Sequence, residues 1–357
     1  MTTRGLKEAM SRHPDLTARP VTIRDLQRRF QPSPPGSLKA LRIKMGPFKP
    51  ETDAFRFNNN FPITDENARQ LRQRYQTVMD AIVGEGVRQV ANALSAISLN
   101  PLPIGPSISL PGIIVDEVIG KVTTALAGNL LDKIIGAIPG SFGRCGGMAF
   151  AGYDFYLLDW TVDERLGTTP PATGVLGDYI FSRLLDSLDL NAGTFLSWVM
   201  TLHVMPVISK VATAALLAAA GSFGGPIGSA IGALIGSQED FFRLGGPGHT
   251  LNNTRDEWRK IKSQLDGEAA WPIGLIFGDN ASPFAQHQVL AIGYTDNGDN
   301  TGSLTIWDNN DANERRTLGL DFRGHELQAT NCLEGPLKGV FLEAYSSHQP
   351  PLSLKLS

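Results

Sequence analysis

Between residues 286 and 307 the chain carries the pattern of an antiparallel strand pair. Gln286-His287-Gln288-Val289-Leu290-Ala291-Ile292-Gly293-Tyr294 is mostly apolar, as in a strand covered on both faces. Asp296-Asn297-Gly298-Asp299-Asn300-Thr301-Gly302 is a polar, glycine-containing hairpin loop, and Ser303-Leu304-Thr305-Ile306-Trp307 returns as the next strand. That return has a chemical consequence. It brings Asp308-Asn309-Asn310, just past the second strand, back to His287 at the head of the first.

A second stretch supplies a reactive group. Ser141-Phe142-Gly143-Arg144-Cys145-Gly146-Gly147-Met148-Ala149-Phe150 puts a cysteine at the predicted start of a helix running from Met148 to Trp160. A thiol reacts as its thiolate, and a helix N-terminus beside an imidazole favours that form. Gly143, Gly146 and Gly147 allow tight backbone around the sulfur. In this arrangement His287 takes the thiol proton and later protonates a leaving group. A carboxylate or amide on the other ring nitrogen fixes the tautomer. Asp308 is the expected orienting group, with Asn309 as the substitute if that group is an amide.

These pieces resemble the papain-like cysteine peptidase superfamily, and within it the branch that processes bacteriocin leaders after a double glycine. The resemblance rests on Cys145-Gly146-Gly147-Met148, Trp271-Pro272-Ile273-Gly274-Leu275-Ile276, the His287 strand, and Ile306-Trp307-Asp308-Asn309-Asn310. It spans roughly residues 141–345, broken by a long insertion. Cys145 and His287 lie about 140 positions apart, inside the range of roughly 130–150 for such enzymes. The resemblance implies Cys145 as nucleophile, His287 as base and Asp308 as third member, acting on a peptide or protein substrate without a cofactor. These families also carry a glutamine shortly before the cysteine as an oxyanion donor, and residues 137–144 contain none.

The rest of the chain sets the surroundings. Residues 1–49 form a basic, Pro-rich arm without the apolar core of a secretory signal. The expectation is therefore a cytoplasmic protein, or one exported without such a signal. Short strand-like pieces fall at 41–43, near the end of the arm, and at 54–57; residues 50–140 otherwise read as mainly helical, with Thr64 capping a helix that runs to about Leu99. Residues 101–112 read as a linker, and 113–138 as an apolar helix interrupted by charges. Residues 141–349 form the predicted catalytic domain and 350–357 a tail. Within that domain, helices are expected at 176–188, from 191 or 192 to His203, and from Asn253 or Thr254 to Leu265. His203 sits in an apolar context and reads as a satisfied core or boundary histidine. Strands are expected at 271–277, 316–320 and 339–344.

The segment 204–238 is the predicted insertion, and its stretch 211–238 is Gly/Ala-rich. Its first reading is a buried helical hairpin; a lid or groove wall and a membrane-inserting hairpin follow. Thirty-two basic against 35 acidic residues give a net charge of −3, and no case for nucleic-acid binding. Two cysteines exclude a disulfide framework, and the histidines show no zinc spacing.

The expected fold is thus α+β: a helical part bearing the cysteine, and an antiparallel sheet bearing the histidine and aspartate. The expected function is thiol-dependent acyl chemistry on an amide bond: peptide hydrolysis first, with deamidation or transglutamination through the same acyl-enzyme as related outcomes. Each residue also has a plainer reading: Cys145 as helix packing, His287 as an ordinary strand residue, Asp308 as part of a turn. Two other functions remain in view: a papain-like binding module without activity, which the missing glutamine favours, and a membrane-active protein using residues 211–238.

Overall fold

The computed structural model describes residues 46–62, 64–71, 73–74, 141–204, 206, 246–279, 285–312, 314–332 and 335–356. Most of the basic arm, the bulk of the long helix after Thr64, the linker, the apolar segment 113–138 and nearly all of the insertion lie outside them. The described part is a mixed fold of helices and one antiparallel, curled half-barrel sheet.

Six strands form that sheet: β3 (Trp271–Phe277), β4 (His287–Asp296), β5 (Thr301–Trp307), β6 (Arg315–Asp321), β7 (Gln328–Thr330) and β8 (Leu337–Leu342). Their order is β7-β6-β5-β4-β3-β8, and every neighbouring pair is antiparallel. The predicted hairpin is β4–β5, with Leu290 opposite Trp307 and Asp296 opposite Gly302. A register shift between Ala291 and Gly293 adds a bulge that sharpens the local twist. The short strand β7 was not among the expected strands. Three residues with no buried member leave no periodic signal to read.

Among the described residues three long helices pack around the sheet. They are α2 (Cys145–Leu157), α3 (Val175–Val199) and α4 (Pro247–Gly267); a single turn, α1 (Pro50–Asp53), precedes them. Helix α2 begins at Cys145 itself and ends earlier than expected, where Asp159 takes a positive φ of 53°. Almost every α2 side chain is buried, so it is a central helix without a polar face. The two helices expected over 176–203 are one continuous helix, α3, followed by a π-helical turn over Met200–Val204. Asn191 explains the difference. Its amide does not cap a helix; it brackets Ala344, donating to the carbonyl at 2.9 Å and accepting from the N–H at 2.7 Å. Helix α4 starts at Pro247, not at Asn253 or Thr254. Proline suits a first helical turn, and the Thr254 hydroxyl bonds back to the Thr250 carbonyl at 2.7 Å.

Among the described residues two large apolar clusters hold these layers, and a smaller one packs Phe195 and Trp198 of α3 on Ile276 and Phe341. Leu251, Trp258 and Ile261 of α4 pack with Ile273, Val289, Ile306 and Val340 of the sheet. On the other side, α2 residues Met148, Ala151 and Phe155 pack with Leu290, Trp307 and an aromatic segment ahead of β1 (Phe61–Pro62). Residues 54–57 are therefore not a strand. Phe55 and Phe57 stack at 5.3 Å between ring centroids, and Phe55 meets Phe155 edge-on at 5.7 Å. The segment is fastened by β1 pairing with β2 (Ser141–Phe142), Phe61 lying opposite Phe142. Thr64 caps the following turn as expected, accepting from the Asn67 N–H at 3.2 Å.

Candidate active site

Cys145 is the first residue of α2, where backbone N–H groups lack intrahelical acceptors. Two of the glycines after it are required by close approach. A Cβ on Gly146 would sit 2.0 Å from the Gln288 amide oxygen, and one on Gly147 would sit 2.2 Å from the Ile180 carbonyl oxygen. The Gly-Gly pair thus lets the head of α2 press against both β4 and α3.

His287 opens β4 and is 5% exposed. Its Nε2 lies 2.8 Å from Asp308 Oδ1, and its ring is also hydrogen-bonded to the Cys145 side chain. With Nε2 engaged by Asp308, Nδ1 is the nitrogen left for the thiol. Burial acts to lower the His287 pKa. The Asp308 hydrogen bond and the Cys145 contact outweigh it and push the value up to about 10. The cysteine, histidine and aspartate expected from the sequence are therefore brought together.

Asp308 follows β5 directly and is 1% exposed. Its Oδ1 also accepts from the Asn310 N–H at 3.0 Å. Its Oδ2 lies 3.2 Å from Arg316 Nη1, and Arg316 also pairs with Asp311. The guanidinium beside the far oxygen helps to fix how the carboxylate is turned. Asn309 does a different job from the one held in reserve for it. Its Nδ2 donates to the Cys145 carbonyl at 3.0 Å and to the Gln288 carbonyl at 2.9 Å, tying the α2 head to β4.

Sequence reasoning missed three groups. Arg316 lies eight positions beyond Asp308, across a turn. Asn59 lies 86 positions before Cys145, yet its backbone N–H donates to the Asn309 carbonyl at 2.8 Å. The run Asn58-Asn59-Asn60 amid phenylalanines was the only local signal for it. The third group is Glu343. The Gln288 amide donates to Ser187 Oγ at 2.6 Å and to Glu343 Oε1 at 2.7 Å, directly behind Gly146.

Glu343 is 2% exposed, and its Oε2 has no partner among the described residues. Burial pushes its pKa from 4.5 up to about 8, against the opposing pull of Gln288 and His287. A raised acid pKa means that the fold holds a proton the unfolded chain releases. Stability therefore falls as pH rises from 4.5, and the loss is complete above about 8. Glu343→Gln keeps the shape and removes the charge. Thermal melts at pH 5 and pH 9 should show the variant gaining on wild type at the higher pH.

Cys145 and Cys332 are not joined in a disulfide, and Cys332 packs at the edge of the sheet cluster. His203 Nε2 lies 3.3 Å from the Phe277 carbonyl, as a boundary histidine should. Among the described residues no His/Cys/Asp/Glu group is arranged to hold a metal ion, and no helix is long and apolar enough to cross a membrane. No protein-family model, curated protein or solved structure matches the chain.

Proposed function

We propose that this protein is a papain-like cysteine hydrolase that cleaves an amide bond in a peptide or protein through an acyl-enzyme. One observation carries the proposal. A cysteine at the head of a buried helix shares a histidine with a buried aspartate, the His287–Asp308 distance being 2.8 Å. The half-buried thiol is open to a substrate, while the base and its orienting group are enclosed.

The chemistry follows from the geometry. Cys145 Sγ, as thiolate, attacks the carbonyl carbon, and the carbonyl electron pair moves to oxygen. The Cys145 N–H, unpaired within the helix, faces that charge. His287 gives its Nδ1 proton to the leaving nitrogen as the C–N bond breaks. The neutral imidazole then draws a proton from water, which attacks the thioester and releases the acid and the thiol. Asp308 keeps the second ring proton on Nε2 throughout.

The test is the rate of iodoacetamide alkylation of Cys145 at pH 6, in a Cys332→Ser background. An ordinary cysteine with a pKa of about 8.5 is only about 0.3% ionised at that pH. Loss of the imidazole in His287→Ala should therefore slow alkylation by about 100-fold. A thiol of ordinary reactivity, unchanged by His287→Ala, would refute the hydrolase and favour a binding module.

A further inference from the structure

The proposed reaction places negative charge on a carbonyl oxygen beside Cys145, and one backbone N–H is a thin cradle for it. The polar side chains around the nucleophile can be sorted by what they already hold. Asn309 spends both amide protons on the Cys145 and Gln288 carbonyls. Gln288 spends both of its own on Ser187 and Glu343, behind the helix. Arg144 points away. It donates to the Gly177 carbonyl at 2.8 Å, and its guanidinium lies 4.6 Å from the Phe61 ring and 5.1 Å from the Phe181 ring. Asn310 turns its amide nitrogen to the Asp308 side of the imidazole, 3.4 Å from Nε2.

Asn59 differs from all of these. Its Oδ1 accepts from the Arg144 N–H at 2.5 Å, one residue before the nucleophile. That contact fixes which way the amide faces. Its Nδ2 donates to Asn310 Oδ1 at 3.2 Å and has no other partner among the described residues, so one N–H is left over. The same nitrogen lies against Gly143, where an added Cβ would be 2.8 Å away. The side chain is half-buried and so can meet a ligand. An oriented amide with a spare proton thus lies between the strand leading to Cys145 and the turn that carries Asp308.

We propose that Asn59 is a catalytic residue, the side-chain donor that stabilises the oxyanion together with the Cys145 N–H. The proposal rests on the thiol hydrolase reading. It assigns part of the site to the segment 46–62, which enters it through the β1–β2 pairing.

Two reactions of one thiol test it. Alkylation by iodoacetamide displaces iodide at a saturated carbon and forms no oxyanion. Acylation by p-nitrophenyl acetate does form one: the S–C bond forms, the tetrahedral oxyanion collapses, and p-nitrophenolate leaves. Both rates are measured on the full chain with Cys332→Ser, for wild type, Asn59→Asp and Asn59→Leu. The aspartate keeps an acceptor for the Arg144 N–H, and the leucine controls for its charge. Acylation should fall by about 100-fold in both variants, the scale of one lost oxyanion donor. Alkylation should stay within about 2-fold, since the thiol and imidazole are untouched. Acylation within about 3-fold of wild type would overturn the assignment. So would a parallel loss of alkylation, which marks a residue that only holds the loop. A wild-type thiol that alkylates with His287 dependence yet never acylates overturns the Asn59 role alone. Alkylation indifferent to His287 removes the hydrolase reading and this role with it.

Discussion

Asp154→Ala is expected to destabilise the fold by about 3–5 kcal/mol, the cost of breaking a buried ion pair from one side. Asp154 lies on α2, where Arg183 Nε of α3 meets its Oδ2 at 2.7 Å, and both side chains are essentially sealed from solvent. Three further donors converge on the same carboxylate. They are the Tyr179 hydroxyl at 2.8 Å, the Tyr345 hydroxyl at 2.6 Å and the His348 N–H at 2.8 Å. Arg183 is held in turn by Asp186 at 2.6 Å and by the Ser346 carbonyl at 2.7 Å. Helix α3 and the strap after β8 are thus fastened to the nucleophile helix through one carboxylate. Truncating it strands a buried guanidinium with Asp186 as its remaining carboxylate partner, removes the acceptor of the Tyr345 hydroxyl, and leaves the Tyr179 hydroxyl only the His348 carbonyl at 3.2 Å. For a folded unit of this size the midpoint of thermal unfolding should fall on the order of 10 °C. The strap over residues 344–348 should also become open to proteolysis. Asp256→Ala removes an exposed pair with Arg259 and serves as the control that leaves the midpoint in place. A midpoint for Asp154→Ala that matches this control would show that the strap is held by apolar packing alone.

That network shows what the sequence withholds. Arg183 and Asp154 are 29 positions apart on two helices, and nothing in either helix's periodicity says that these two charges turn inward to meet. The hairpin was legible because its information is local. Apolar runs around a polar turn specify register, and register specifies that residue 308 returns to residue 287. The head of α2 was legible for a similar reason, since a cysteine followed by two glycines opens an apolar helix. Asn59 was not legible, because it reaches the site through a two-residue strand pair that joins segments about 80 positions apart. Arg316 was missed on a smaller scale. Its place beside Asp308 depends on β6 pairing back on β5, with Ile306 opposite Arg316. Asn191 was misread as a helix start because its preference for caps is real. Here its amide found a better use against Ala344 in the next layer.

Asp308→Asn is expected to lower the acylation rate of Cys145 by about 1,000-fold or more, the scale on which the wrong histidine tautomer acts in hydrolytic triads. The reason lies with Arg316. The wild-type carboxylate accepts from His287 on one oxygen and faces the guanidinium with the other, 3.2 Å away. An asparagine at this position has one oxygen to offer. Facing a cation with its NH₂ is the worse choice even against losing the Asn310 N–H bond on the other side, so the oxygen turns to Arg316 and the NH₂ turns to His287 Nε2. The imidazole then carries its proton on Nδ1, facing the thiol, and can no longer take the thiol proton. Releasing the amide should undo part of this. Arg316→Met in the Asp308→Asn background should recover activity, although Arg316→Met alone should lower it. Stability carries a second signature. Burial alone would depress the His287 pKa, and Asp308 and Cys145 hold it near 10 instead of 6.5. A histidine raised in this way stabilises the fold fully below pH 6.5 and loses that contribution as pH rises through about 10. The stability gap between wild type and Asp308→Asn should therefore be widest below pH 6.5 and close toward pH 10, as read from denaturant midpoints across that range. A gap that does not change with pH would mean that Asp308 serves the fold by packing and not by charge.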